Sequence, residues 1–79
     1  MKRLKNWSVV FGSNLHGIVF GHPKFENGTE ITTSKIVGTR EGLILTYSGS
    51  EYQLEDVDPE YEKAFPNARQ RLLKAAEKL

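Results

Sequence analysis

The side chains best placed to do chemistry lie between Gly17 and Ser34, in the stretch GIVFGHPKFENGTEITTS. It gathers three glycines, His22-Pro23, Asn27-Gly28 and the run Thr32-Thr33-Ser34 within eighteen residues. Glycines let a ligand or a second backbone come close. The hydroxyls of Thr29, Thr32, Thr33 and Ser34 both donate and accept hydrogen bonds, and His22 and Asn27 do the same from the loop. His22 or Lys24 supplies a charge-compatible donor, while Phe25, Tyr47 or Tyr52 offers a ring for stacking. Donors around glycines with an aromatic nearby suit recognition of phosphates, ribose or a base. The same hydroxyls could instead satisfy the backbone of a stiff hairpin loop.

Catalytic constellations are poorly represented. His16 and His22 are six residues apart, on a strand and in a loop, with no cysteine and no carboxylate at metal-ligand spacing, so zinc is not expected. Ser34 lacks the G-x-S-x-G context of a hydrolase nucleophile. Glu26 and Glu30 flank the loop as ordinary exposed carboxylates. A phosphate-binding glycine loop of the Walker or dinucleotide type should open a helix, and here a strand follows. The sequence therefore points to binding without catalysis, and to no cofactor.

The elements that must position these residues are short and β-prone. Residues 7–11 (WSVVF) form a first strand, 15–21 (LHGIVFG) a second, 30–39 (EITTSKIVGT) a third, 43–47 (LILTY) a fourth and 51–54 (EYQL) a fifth. Turn chemistry separates them at Gly12-Ser13-Asn14, Asn27-Gly28, Glu41-Gly42 and Ser48-Gly49-Ser50. Gly17 and Gly21 mark close approach, a bulge or a strand end. Alternation places Ile31 and Thr33 on one face and Thr32 and Ser34 on the other. The expectation is a mostly β domain with a C-terminal helix. Its five-stranded antiparallel meander either curls into a small SH3-like or OB-like barrel or forms a flatter sheet covered by the helix.

The pattern changes period near residue 58. Asp58-Pro59 is a helix start, with a capping carboxylate and proline at the first helical position. Tyr61, Phe65, Ala68, Leu72, Ala75 or Ala76, and Leu79 then share one helical face. Pro66 interrupts this run, which predicts either one kinked helix or, the favoured form, a short turn to about Ala64 and a main helix opening at Pro66.

A chain of 79 residues fits a single domain with a small core and little room for a private deep pocket. With no cysteine, disulfides and thiolate metal sites are absent. The basic start MKRLKN is followed by no apolar run of signal-peptide length, and no segment approaches a membrane span, so a cytoplasmic protein is expected. Net charge is +1. It conceals an acidic stretch (Glu51, Glu55, Asp56, Asp58, Glu60, Glu62) followed by a basic one (Lys63, Arg69, Arg71, Lys74, Lys78). General nucleic-acid binding usually calls for a larger positive excess.

The pattern Gly17, Val19, Gly21, His22, Pro23, Phe25, Gly28, Thr29, Ile31, Thr33, Ser34, closed by Tyr52 and Leu54, resembles small proteins of phages and prophages. The resemblance covers residues 15–54 and leaves out the helix after Val57. It implies an accessory protein that counteracts host defence, acting in the host cytoplasm if phage-encoded. Three expectations follow. The first is sequestration of a signalling nucleotide at the interface of a homo-oligomer, with His22, Lys24, Phe25, Asn27, Thr29, Thr32, Thr33, Ser34 and Tyr47 as ligand-binding residues. The second is inhibition of a host defence enzyme or CRISPR complex through the acidic stretch or the helix. The third and weakest is single-stranded nucleic-acid binding, with Trp7, Phe11, Phe20 or Tyr47 stacking bases.

Overall fold

A computed structural model describes residues 1–79 as five strands followed by two helices: β1 Lys2–Val10, β2 Asn14–Phe20, β3 Thr29–Arg40, β4 Leu43–Thr46, β5 Glu51–Leu54, α1 Pro59–Ala64 and α2 Ala68–Glu77. The strands run in sequential order and close into a barrel. A meander with an odd number of strands brings its first and last strands together in the same direction. Here Lys2, Arg3 and Leu4 of β1 pair in parallel with Tyr52, Gln53 and Leu54 of β5. All other pairings are antiparallel, and no Greek-key crossover of the OB type is present.

The first strand begins at Lys2 rather than Trp7, and Phe11 belongs to the turn after it. The reason is a β-bulge. Between the pairs Lys5↔Ile18 and Ser8↔His16, β1 advances three residues while β2 advances two. Asn6 carries the deviation at φ 53°. The extra residue breaks the period of two, so Leu4 and Trp7 both point inward although they are three apart. Trp7 crosses directly over Gly17. A Cβ there would lie 3.0 Å from the Lys5 carbonyl oxygen and 3.2 Å from the Trp7 Cα.

Turn residues act as their chemistry requires. Phe11-Gly12 and Glu41-Gly42 both have positive φ at two consecutive positions, the signature of the type I′ hairpin turn. Gly21, at φ 74°, lies so close to the Met1 carbonyl that a Cβ would collide with it. The barrel interior holds Leu4, Trp7, Leu15, Val19, Ile31, Ile36, Ile44, Tyr52 and Leu54.

The C-terminal segment closes one side of this barrel. Asp58 caps α1 by accepting from the Tyr61 amide at 3.4 Å. Pro66 does not open the second helix as the sequence predicts. It sits in the connecting turn, and Asn67 takes the N-cap position in the left-handed region at φ 63°. Asparagine tolerates that conformation and lets the chain reverse before Ala68. Ala68 and Ala76 are buried against the barrel, with Leu72 and Leu73 partly so, whereas Phe65 and Leu79 stay exposed. The Arg69 guanidinium fastens α2 by donating to the Leu54 carbonyl at 2.6 Å and to the Glu55 carbonyl. Glu55 also accepts the Trp7 indole N–H at 3.0 Å, so helix, barrel end and buried tryptophan meet at one peptide. No helix is long and apolar enough to cross a membrane.

Candidate functional site

A polar hollow of the barrel wall arises from how β3 divides. Its first half ladders with β2 through Thr29–Lys35, and its second half with β4 through Ile36–Arg40. Two register shifts, one in each ladder, bend the strand between these halves. Ile31–Ser34 therefore has no β4 partner on its second edge. Opposite that edge stands the turn from β4 to β5, where the Thr46 amide donates to the Ser50 carbonyl at 3.0 Å and Gly49 adopts φ 92°. The gap forms an open groove of about 470 Å³. The His22–Phe25 loop and Lys2 also line it.

Six of the nine residues expected to bind a ligand meet here: His22, Lys24, Phe25, Thr32, Thr33 and Ser34. The sequence alone does not reveal Lys2, Ser48, Gly49 and Ser50 as members of the site, and Tyr52, a candidate stacking ring, joins them. Lys2 could not be placed without the parallel β1–β5 closure. The serines carried a signal, since Ser48-Gly49-Ser50 repeats the mixture of glycine and hydroxyls seen in the hairpin.

The remaining three lie elsewhere. Asn27 accepts the Gly21 amide through Oδ1 at 2.9 Å, and Thr29 donates to the Glu26 carbonyl at 2.7 Å, so both hold the loop in shape. Tyr47 projects into solvent on the far side of the turn, with the Lys35 ammonium 5.6 Å from its ring centre. Thr33 is buried behind the groove. Its hydroxyl accepts the Leu15 amide at 3.1 Å and donates to the Ser34 carbonyl at 2.7 Å.

Electrostatically the groove is one-sided. No Asp or Glu lines it, while Lys2 and Lys24 reach it and neither is engaged in an ion pair. The neighbouring bases are already matched. Arg3 and Lys5 share Glu55 at 3.4 and 3.8 Å and cover the Phe20 ring, and Arg40 holds Glu51 at 3.2 Å. His22 is half-buried, and its Nδ1 accepts the Lys24 amide at 3.0 Å. Its pKa lies below the usual value, first because of desolvation and then because of the positive charges of Lys2 and Lys24. The ring therefore stays neutral near pH 7, with its proton on Nε2 as a donor. Phe25 packs edge-on to His22 with centroids 4.7 Å apart and keeps 43% of its surface exposed, and Tyr52 lies 6.2 Å from His22.

The residues named for the other two readings are differently placed. Trp7 is fully buried and Phe20 lies beneath two cations, which leaves Phe11 and Tyr47 as exposed rings. In the acidic stretch Glu51 and Glu55 are in ion pairs, Asp58 caps α1 and Glu62 accepts the Ala68 amide at 3.3 Å. No group of three His, Cys, Asp or Glu side chains is gathered so as to hold a metal. Comparison with protein-family models, curated proteins and solved structures finds no match for this chain. The functional reading accordingly rests on the groove itself.

Proposed function

We propose that this chain is a non-catalytic binding protein that sequesters a small anionic signalling nucleotide in the groove between Ile31–Ser34 and the turn at Ser48–Ser50. The observation that carries this reading is the groove's charge: two unpaired lysines, a neutral imidazole donor and serine hydroxyls, with no carboxylate. Phosphate oxygens suit such a wall, because ammonium groups and O–H donors satisfy them without a competing anion. Phe25, beside His22, offers an apolar face for a base. Nothing in the groove pairs a nucleophile with an activated base and a stabiliser of developing charge, so the bound molecule is held intact.

The groove is open along its length, whereas small-ligand sites bury most of their ligand. A second copy of the chain supplies the missing wall, which makes the working unit a homo-oligomer. The Gly17 to Ser34 pattern resembles small phage and prophage proteins, and in such a setting removing a signalling nucleotide would blunt host defence in the host cytoplasm. Inhibition of a host protein by the acidic stretch is the less favoured reading, since four of its six carboxylates already have partners within the chain.

Calorimetry against a panel of linear and cyclic nucleotides, combined with solution mass and chromatography of the released ligand, tests the proposal. Sub-micromolar binding by an oligomer, return of the unmodified nucleotide, and loss of binding in Lys24→Glu would support it. A monomer that binds none of the panel, or a nucleotide returned cleaved, would refute it.

A further inference from the structure

On the outer face of the barrel, beside the groove, three side chains form a continuous hydrogen-bonded chain. The His16 Nε2 lies 2.8 Å from Glu30 Oε1, and the His16 Nδ1 lies 2.8 Å from Thr32 Oγ1. The register that pairs His16 with Thr32 across β2 and β3 sets this arrangement, with Glu30 two residues before Thr32 on the same face. An ionised carboxylate can only accept, so the proton of a neutral His16 imidazole is on Nε2. While the imidazole is neutral, Nδ1 is then bare and the Thr32 hydroxyl donates to it. From this chain of donors and acceptors we infer that His16 is a positioning residue that fixes the hydroxyl of Thr32, a groove-lining residue, as a hydrogen-bond acceptor, and so selects ligands that present an N–H or O–H group to it. The inference rests on the groove reading given above.

The other hydroxyls give the opposite polarity. Thr46 donates to the Ser50 carbonyl at 3.2 Å, and Ser34 donates to Ser48 Oγ at 3.2 Å. Each hydroxyl has a single proton, so the Ser48 proton faces only Thr46 Oγ1, at a long 3.4 Å, and is available to a ligand. Ser48 thus donates to an anion, as do Lys2 and Lys24, while Thr32 accepts. A matching ligand is anionic at one end and carries an amino or hydroxyl donor at the other. A nucleotide with an exocyclic amino group or a free ribose hydroxyl fits this description, and a nucleotide with a carbonyl at that position does not.

Four probes separate the anion from the donor: pyrophosphate, ADP, 2′-deoxy-ADP, and IDP, in which a carbonyl replaces the adenine amino group. The wild-type protein should bind ADP about tenfold more tightly than at least one of the two altered nucleotides. In His16→Phe and Glu30→Leu, each of which removes one link of the chain, that gap should shrink to about twofold or less, with pyrophosphate affinity unchanged. Nitrogen-15 NMR of the unliganded protein at about pH 8 provides a readout independent of binding, and should place the His16 proton on Nε2. A proton on Nδ1, no gap in the wild type, or an equal gap in both variants would overturn the inference. If neither pyrophosphate nor any of the nucleotides binds, the groove reading fails, and the NMR tautomer still decides whether His16 fixes the polarity of Thr32.

Discussion

Replacing Gly17 by alanine probes the closest backbone approach in the barrel wall. The new methyl would meet the Lys5 carbonyl oxygen at 3.0 Å and the Trp7 Cα and Cβ at 3.2 Å. None of these is the free end of a flexible side chain, so the β1 bulge itself must move. Overpacking of this kind costs about 1–3 kcal/mol. The lower entropy of the unfolded alanine chain offsets about 0.4–1 kcal/mol of that. A net loss of about 0–2.6 kcal/mol is expected, and its centre near about 1.3 kcal/mol is equivalent to a fall in Tm of roughly 5–10 °C for a domain of this size. Gly38→Ala is the matched control, because a Cβ there meets nothing within 4 Å and its φ is not positive. It should gain about 0.4–1 kcal/mol. Urea unfolding of both variants, with unchanged slope, measures the difference. Equal loss in the two variants would show that strand glycines matter for a general reason and that the Trp7 crossing does not decide the cost.

Three other outcomes are expected. His22 should titrate below about 6.5, and its midpoint should move up in Lys2→Gln or when phosphate fills the groove, as read by NMR. Because its folded pKa is depressed, the unfolded chain binds the proton more readily, so the stability tied to His22 is complete above about pH 6.5 and is lost as pH falls below it. Phe11→Asn should raise stability by about 1 kcal/mol in thermal unfolding, since Phe11 has φ 53° with its ring in solvent, and asparagine before glycine is the favoured type I′ pair. Arg69→Ala should cost about 1–3 kcal/mol by freeing the Leu54 and Glu55 carbonyls, with faster hydrogen exchange along α2.

Much of the architecture was legible because local chemistry and tertiary structure agree. The β5 limits follow from EYQL after the Ser48-Gly49-Ser50 turn, and alternation puts Ile31 and Thr33 on one face, which the structure turns inward. Where local signals were overruled, a single residue is responsible each time. The bulge at Asn6 hid the first half of β1, whose basic residues read as a charge cluster and turned out to form the strand that closes the barrel. Asn67 took the helix start away from Pro66 by adopting a left-handed conformation that proline cannot adopt. The groove was half legible. The hairpin's hydroxyls stood out by composition, but which of them face the groove depends on register. Asn27, Thr29 and Thr33 satisfy their own loop or strand, as the hairpin-loop alternative anticipated. Lys2 and the turn at Ser48–Ser50 join the site only because distant segments close around β3.

The central claim is that an anion occupies the gap between β3 and the β4–β5 turn. Amide chemical shifts followed during a pyrophosphate titration test it most directly. The account predicts saturable shifts at Lys24, Thr32, Ser48, Gly49 and Ser50, with little change at the Gly12 and Gly42 hairpin tips and attenuation in Lys2→Gln. Shifts centred on the hairpin tips or on α2, or no saturable shift at all, would contradict it.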